Sequence, residues 1–343
     1  MDIVVSERHR GHDPQSFLVR GRFAAAAEKP ERADILRIAV QDAGFSLIEA
    51  GDHGLAPLAR VHAPEYLEFL STGHARWREL PDAGPEIVAN AFPGRHMAAR
   101  PQGIVGQAGY HMADGACPIG PGTWDAAQGA AEVALTATDL VADGATAAYA
   151  LCRPPGHHAF ADEAGGFCFL NNVAIATQHL LPRFGRAAIL DFDVHHGNGT
   201  QGIFYRRDDV FFASIHADPI AYYPWFAGYA SERGEGRGLG YNVNLPLPPG
   251  TGDRDFVAGI ETLLAAIARF DPNVLLVSAG FDAQEHDPLG VFKVTTDGFL
   301  RAGEVIGAFA RAHELPSLLV QEGGYVCDDL GRNLVAFLRG FEG

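Results

Sequence analysis

The stretch 187–200, AAILDFDVHHGNGT, limits what this chain can become more than any other part of it. Ala187, Ala188, Ile189 and Leu190 run into Asp191, Phe192, Asp193, Val194 and His195, followed by His196, Gly197, Asn198 and Gly199. Such an apolar run reads as a strand buried on both faces of a parallel sheet. Its polar residues arrive where the strand ends, and open α/β sheets bind ligands in the crevice beyond the strand C-termini. Alternation along a strand over 187–194 would place Asp191, Asp193 and His195 on one face. A carboxylate and an imidazole two residues apart have metal-ligand spacing, and O and N donors without thiolate suit zinc, iron or manganese. The plainer alternative is a turn whose Asp and His only cap backbone groups.

The rest of the chain supports an α/β reading. Strands are expected at 3–5, 147–152, 187–194, 210–215, 274–279 and 317–320. Helices are expected at 32–44, 62–80, 125–142, 172–181, 256–269, 297–312 and 330–338. Alternating strands and helices imply a parallel sheet covered by helices on both faces. Residues 81–124 are rich in Pro and Gly with little periodicity, as in a binding loop, a lid or an interface arm. No second composition regime or repeat appears, so 1–343 is expected to be a single catalytic domain with an insert at about 81–124.

With 47% hydrophobic and 20% charged residues, the chain can bury a large core. Its net charge of −16 argues against nucleic acid as a partner. Cys117, Cys152, Cys168 and Cys327 form no CxxC pair, so neither a thiolate metal knuckle nor a disulfide framework is expected. The opening MDIVVSERHRGH has no signal-peptide core and no run approaches a membrane span. A cytoplasmic protein without a membrane partner is the expectation.

Five of the expected strands end in polar or glycine-rich tips: RPPGHH at 153–158, the Asp191–His195 run, HADP at 216–219, GFD at 280–282 and QEGGY at 321–325. In a parallel sheet such tips converge on one edge, and this convergence says more than any single motif. RPPGHH, GGFCFLNN, DFDVHHGNGT, SAGFDA and EGGY, in this order, resemble the zinc-dependent histone deacetylase superfamily. The SERH opening, the 81–124 segment and HADP…YYPWF…GYASE resemble its bacterial acetylpolyamine amidohydrolase and histone deacetylase-like amidohydrolase branch. The resemblance covers nearly the whole chain and implies the arginase–deacetylase fold, one α/β domain around a parallel sheet of about eight strands.

Carried over residue by residue, the resemblance makes Asp193, His195 and Asp282 ligands of one zinc ion, and His157 and His158 the tandem catalytic histidines. Tyr325 would donate to the substrate carbonyl, with Asp191 behind His157 and Asn198 behind His158. Two carboxylates and one imidazole nearly neutralise Zn²⁺ while leaving room for water and carbonyl. His158 would act as general base beside His157, whose pKa the Asp191 charge should raise. Tyr325 would stabilise the oxyanion.

The resemblance further implies a channel lined by Gly166 and Phe167. It implies a structural potassium site at Asp191, Asp193, His195, Ser214 and Ile215, and a second at Phe204, Arg207, Val210 and Tyr241. His216, Tyr223, Trp225 and Phe226 suggest an aromatic rim that meets a second subunit in a homodimer built partly by 81–124. The acidic residues that the polyamine branch carries at the channel mouth are matched here by Phe17, Val105 and Ala116, with Asp114 close by.

The expected activity is therefore hydrolysis of small N-acyl amides of the acetylpolyamine type. Neutral N-alkyl or aryl amides and acyl-lysine remain alternatives. An arginase-type ureohydrolase would need a second metal, yet His195 is followed by His196-Gly197 and Asp282 by Ala283-Gln284. An inactive binding protein would show a broken constellation, and here every member is present.

Overall fold

Alternate residues of the buried strands feed two separate cores. Val4, Ala148, Ala150, Ile189, Leu276 and Leu318 pack on one side. Ile3, Tyr149, Leu190, Val277 and Leu319 pack on the other. A sheet covered on both faces needs apolar residues at every position, which is why these strands read as unbroken apolar runs. The computed structural model describes residues 1–343 except residue 98. Residue 98 belongs to the expected 81–124 insert and lies outside the described residues.

The elements in chain order are β1 (Asp2–Val5), β2 (Ser16–Val19), β3 (Arg22–Ala25), α1 (Pro30–Asp42), β4 (Ser46–Glu49), α2 (Pro64–Arg78), α3 (Ile104–His111), α4 (Thr123–Ala142) and β5 (Ala147–Ala150). There follow α5 (Asn172–Phe184), β6 (Ala187–Asp191), α6 (Asn198–Phe204), β7 (Val210–Ala217), β8 (Asn242–Leu247), α7 (Asp253–Phe270), β9 (Val274–Ala279), α8 (Thr296–Ala312), β10 (Ser317–Gln321) and α9 (Leu330–Glu342). Proline opens α1 and α2, where its missing N–H costs no hydrogen bond. Asn171 caps α5 by accepting from Ala174 N at 3.0 Å, and Thr295 caps α8.

Eight strands form one sheet in the order β4-β1-β5-β10-β9-β6-β7-β8, every neighbouring pair parallel. From β6 the chain moves outward to β7 and β8. From β9, the other neighbour of β6, it moves the opposite way to β10. The β6–β9 boundary is thus a topological switch point, where the connections diverge and leave a crevice at the strand C-termini. The five strands with polar tips, β5, β10, β9, β6 and β7, are contiguous in the sheet.

Three features differ from the sequence expectation. The central strand ends at Asp191 rather than at 194, so strand alternation does not aim Asp193 and His195; the following loop does. The 81–124 segment is not structureless: it contains α3, and Ile87, Ile104, Met112, Cys117 and Ile119 pack in a third core with Tyr66, Phe69 and Phe169. Sequence periodicity also passed over β4, β8 and the β2–β3 hairpin. The edge strand β8 carries Pro246 and polar Asn242 and Asn244, a pattern that an edge tolerates but a central strand does not. No helix among the described residues is long and apolar enough to cross a membrane.

Candidate active site

The loops after β6 and β9, on either side of the switch point, bring together Asp193, His195 and Asp282. One donor atom from each lies within 4.8 Å of the others, and among the described residues no second such group adjoins them. His195 Nδ1 is 3.1 Å from both Asp193 Oδ1 and Asp282 Oδ2. Asp193 and Asp282 are fully buried. Backbone amides orient the carboxylates: Gly323 N donates to Asp193 Oδ2 at 2.7 Å, His195 N to Asp193 Oδ1 at 2.9 Å and Val194 N to Asp282 Oδ1 at 3.0 Å. Outer contacts of this kind hold metal ligands in place.

The electrostatics ask for a cation between the two carboxylates. Burial and the neighbouring Asp193 charge push the Asp282 carboxyl up. Burial would also raise Asp193, but His157 and His195 hold it well below the usual range. Burial opposes charge on His195 as well, yet its bonds to the two carboxylates raise it to about 9. The backbone leaves room there too. A Cβ on Gly280 would collide with Asp193 Oδ2, and one on Gly323 with the carboxylates of both Asp193 and Asp282. Two carboxylates and an imidazole in a glycine-lined cradle fit a divalent metal with an open position.

His157 and His158, from the loop after β5, stand beside this cluster with ring centroids 4.0 Å apart, and the His158 ring lies 5.9 Å from that of His195. His157 Nδ1 is 3.0 Å from Asp191 Oδ2, whereas His158 Nδ1 is 2.6 Å from Asn198 Oδ1, at the start of α6. The two imidazoles are therefore unlike. Burial disfavours charge on His157, but the Asp191 and Asp193 carboxylates outweigh it and raise His157 to about 10. Burial, the adjacent His157 cation and His195 push His158 well below its ordinary value. The surroundings thus favour the protonated form of His157 and the neutral form of His158.

The strip 322–325 is wired to every part of the site. Glu322 Oε2 accepts from Gly156 N (2.7 Å) and His157 N (3.0 Å), fixing the turn that presents the histidines. Arg32 donates to the Glu322 and Gly324 carbonyls, and its guanidinium lies 4.8 Å above the Tyr325 ring. Gly324 has φ +112, which a side chain would strain, so glycine lets the strip turn Tyr325 inward. Fully buried Glu28 receives Arg32 at 2.7 Å and Arg153 at 2.7 and 2.9 Å, joining this strip to the histidine loop. Sequence reasoning singled out neither Glu28 nor Arg32. In EKPER they look like an ordinary helix start, and their four-residue spacing at the entry to α1 was the available signal.

Gly166 and Phe167 form a positive-φ turn beside the site. Phe167 meets Tyr325 at 5.7 Å and Phe17 of β2 at 5.4 Å, both edge-on. Tyr223 stands edge-on to His158 at 5.0 Å, and its hydroxyl donates to Asp114 Oδ2 at 2.6 Å. Asp114 also accepts from Gly166 N (3.1 Å) and Ala116 N (2.8 Å), so its carboxylate is taken up by neighbouring residues. Trp225 and Phe226 are exposed, and Val105 is exposed on α3. His216, expected at the aromatic rim, is instead fully buried, with Nδ1 2.8 Å from Ser214 Oγ and Nε2 2.8 Å from the Gly228 carbonyl. It lies on β7, an interior strand, and ties down the loop that carries Gly228.

Of the expected potassium residues, Ser214 pairs in register with Asp191, and Ile215 follows it on β7. Phe204 closes α6 and its carbonyl accepts Arg207 N at 2.9 Å; Val210 opens β7, and the Tyr241 carbonyl accepts Phe212 N at 3.0 Å.

A doubly covered parallel sheet with a two-carboxylate, one-imidazole cradle at its switch point and an unlike imidazole pair beside it defines a hydrolase of the arginase–deacetylase fold. Residues 26–341 match the histone deacetylase domain. The chain is 49% identical over 331 residues to an acetylpolyamine amidohydrolase of Burkholderia pseudomallei, covering 96% of this chain and 95% of that one. It is 46% identical over 346 residues to acetylpolyamine amidohydrolase 1 of Pseudomonas aeruginosa, covering 99% and 98% of the two chains. The crystal structure of the acetylpolyamine aminohydrolase from Burkholderia pseudomallei superimposes with a TM-score of 0.95 at 48% identity, over 99% of this chain and 98% of that one. The chain belongs to the histone deacetylase family. It is an enzyme of that family's amidohydrolase type, acting on linear amide C–N bonds.

Proposed function

We propose that this enzyme hydrolyses N-acyl amides of small amines, with acetylpolyamine-like molecules as the leading substrate class, and that Asp193, His195 and Asp282 hold one zinc ion. The observation that carries the reading is the unlike imidazole pair beside that cradle, one ring 3.0 Å from a buried carboxylate and the other 2.6 Å from an uncharged amide oxygen. When bound, zinc supplies the Lewis acidity that polarises an amide carbonyl and acidifies a water. Neutral His158 accepts a proton from the attacking water and returns it to the departing amine nitrogen, leaving a carboxylate and a free amine. The His157 cation, held by Asp191, keeps positive charge beside the developing oxyanion, and Asn198 orients His158 without charging it. Tyr325 donates its phenol proton in a hydrogen bond to that oxyanion.

Phe167 and Tyr223 wall the acyl-side channel, with Gly166 admitting close backbone approach. Trp225, Phe17 and Ala116 stand nearer its mouth. Potassium is proposed as a structural ion at the Asp191–Ser214 region and near Phe204 and Tyr241. The chain is read as one catalytic domain working in the cytoplasm as a homodimer, with the exposed Trp225 and Phe226 and part of 81–124 at the subunit contact.

A second reading, preference for neutral N-alkyl or aryl amides, has its own support. Phe17, Val105 and Ala116 bring no negative charge to the mouth, and the Asp114 carboxylate is taken up by Tyr223, Gly166 and Ala116. Turnover of the zinc-loaded protein on N-acetylputrescine, acetylspermidine, an acetyl-lysine peptide and neutral alkyl and aryl amides decides between them. Preference for the acetylpolyamines upholds the leading reading. Preference for the neutral amides replaces it, and no turnover of any amide overturns both.

A further inference from the structure

We infer that Asp287 is a positioning residue for Tyr325, and that the turn 284–290 sets the distance between this phenol and the metal cradle. The inference rests on the role of Tyr325 proposed above. Asp287 lies five residues beyond Asp282 and is nearly buried. Its carboxylate faces two ways. Oδ1 accepts Leu289 N at 2.8 Å and Gly290 N at 3.1 Å, closing the turn on itself. Oδ2 accepts Tyr325 N at 2.7 Å, across 38 residues of sequence. A buried carboxylate satisfied by three backbone amides is a rigid clip, because leaving any of them unpaired is costly.

The same turn is locked to the cradle by two other contacts. A Cβ on Gly290 would collide with the Asp282 carbonyl, so the turn packs directly on the backbone of a candidate ligand. The Tyr222 hydroxyl donates to the Leu289 carbonyl, while its ring stacks on His195 with centroids 4.9 Å apart and planes 14° apart. One turn therefore touches Asp282 directly and His195 through Tyr222, and Asp287 passes its position on to Tyr325. The phenol sits on a strip containing Gly323 and Gly324, which has little stiffness of its own. Arg32 holds that strip on one side by carbonyls, and Asp287 holds it on the other by an amide. Misplacing an oxyanion donor by about 1 Å is enough to cost on the order of a hundredfold in rate.

The test is a double-mutant cycle. D287A and D287N are made in the wild-type and Y325F backgrounds, and kcat, KM, bound zinc and Tm are measured for each. Asn keeps the shape, but its amide nitrogen cannot accept an N–H, so one side of the clip opens without a cavity. In the wild-type background each variant should lower kcat about tenfold or more with KM nearly unchanged. In the Y325F background the further loss should be less than about twofold, because the group being positioned is already gone. Equal losses in both backgrounds overturn the proposal, as does a fully active D287N, which also decides the matter if D287A fails to fold. Full turnover in Y325F alone sinks the Tyr325 role and this inference together. A strong Y325F defect with additive Asp287 effects sinks only the inference.

Discussion

His158 Nδ1 lies 2.6 Å from the side-chain oxygen of Asn198, an uncharged acceptor, although its neighbour His157 leans on the carboxylate of Asp191. Burial and the neighbouring His157 and His195 push His158 well below its ordinary pKa, and the hydrogen bond to uncharged Asn198 opposes this without overcoming it. Placing a carboxylate there with Asn198→Asp should raise the His158 pKa. Because the base works deprotonated, the acid limb of kcat/KM should move to higher pH. A pH–rate profile that keeps its acid limb in place would mean that His158 is not the base.

Tyr325→Phe should remove the phenol donor and leave the surrounding apolar contacts. Loss of one oxyanion donor costs roughly 10²–10³ in kcat, with KM changed far less. Steady-state kinetics on the best amide of the panel would show the split. A loss confined to KM would point to substrate binding instead.

The cradle predicts its own dependence on metal. Asp193→Ala or Asp282→Asn should abolish both stoichiometric zinc and turnover, read by elemental analysis and amide hydrolysis on the same preparations. Gly323→Ala makes a subtler probe, since the added Cβ would press on the Asp193 and Asp282 carboxylates without removing a ligand. It should weaken zinc retention in a chelator titration. Unaltered retention would place the metal elsewhere.

Glu28 predicts an acid-stability limb. Burial opposes its charge, but Arg153 and Arg32 hold its carboxyl down at about 2, against 4.5 for the free side chain. The folded state thus binds fewer protons than the unfolded one, and the stabilisation is present above pH 4.5 and lost as pH falls toward 2. The difference corresponds to roughly 3 kcal/mol. Thermal unfolding scans should show Tm falling through that window. Glu28→Gln should be less stable at neutral pH, by about 3 kcal/mol or more for two arginines left short of a buried partner, and should show a shallower acid slope.

Much of this was legible before any fold was built. The apolar runs of β5, β6, β7, β9 and β10 marked a buried parallel sheet, and their polar tips marked its working edge. His216 shows the limit of such reading. A histidine following an apolar strand and preceding an aromatic loop looks like a rim residue, yet β7 runs on through Ala217 and buries it. Asp114 shows a different limit. The sequence sets it close to Ala116 without assigning it a role, and the fold makes it the acceptor for Tyr223 and Gly166.

The amino-acid sequence by itself determined which residue types are available and in what local order: Asp193 two before His195, two adjacent histidines, a tyrosine behind two glycines. Those relations are short-range, and covalent spacing preserves them in any fold. Only the tertiary structure decided which tips become neighbours. The strand order sets β9 beside β6, and so brings Asp282 within reach of residues some ninety positions earlier. It also decided the environment on which the chemistry depends, because burial and distant partners set the charge of each imidazole. Glu28 has a local partner in Arg32, four residues on, but its bond to Arg153 spans 125 residues and that of Asp287 to Tyr325 spans 38, and both form only through packing.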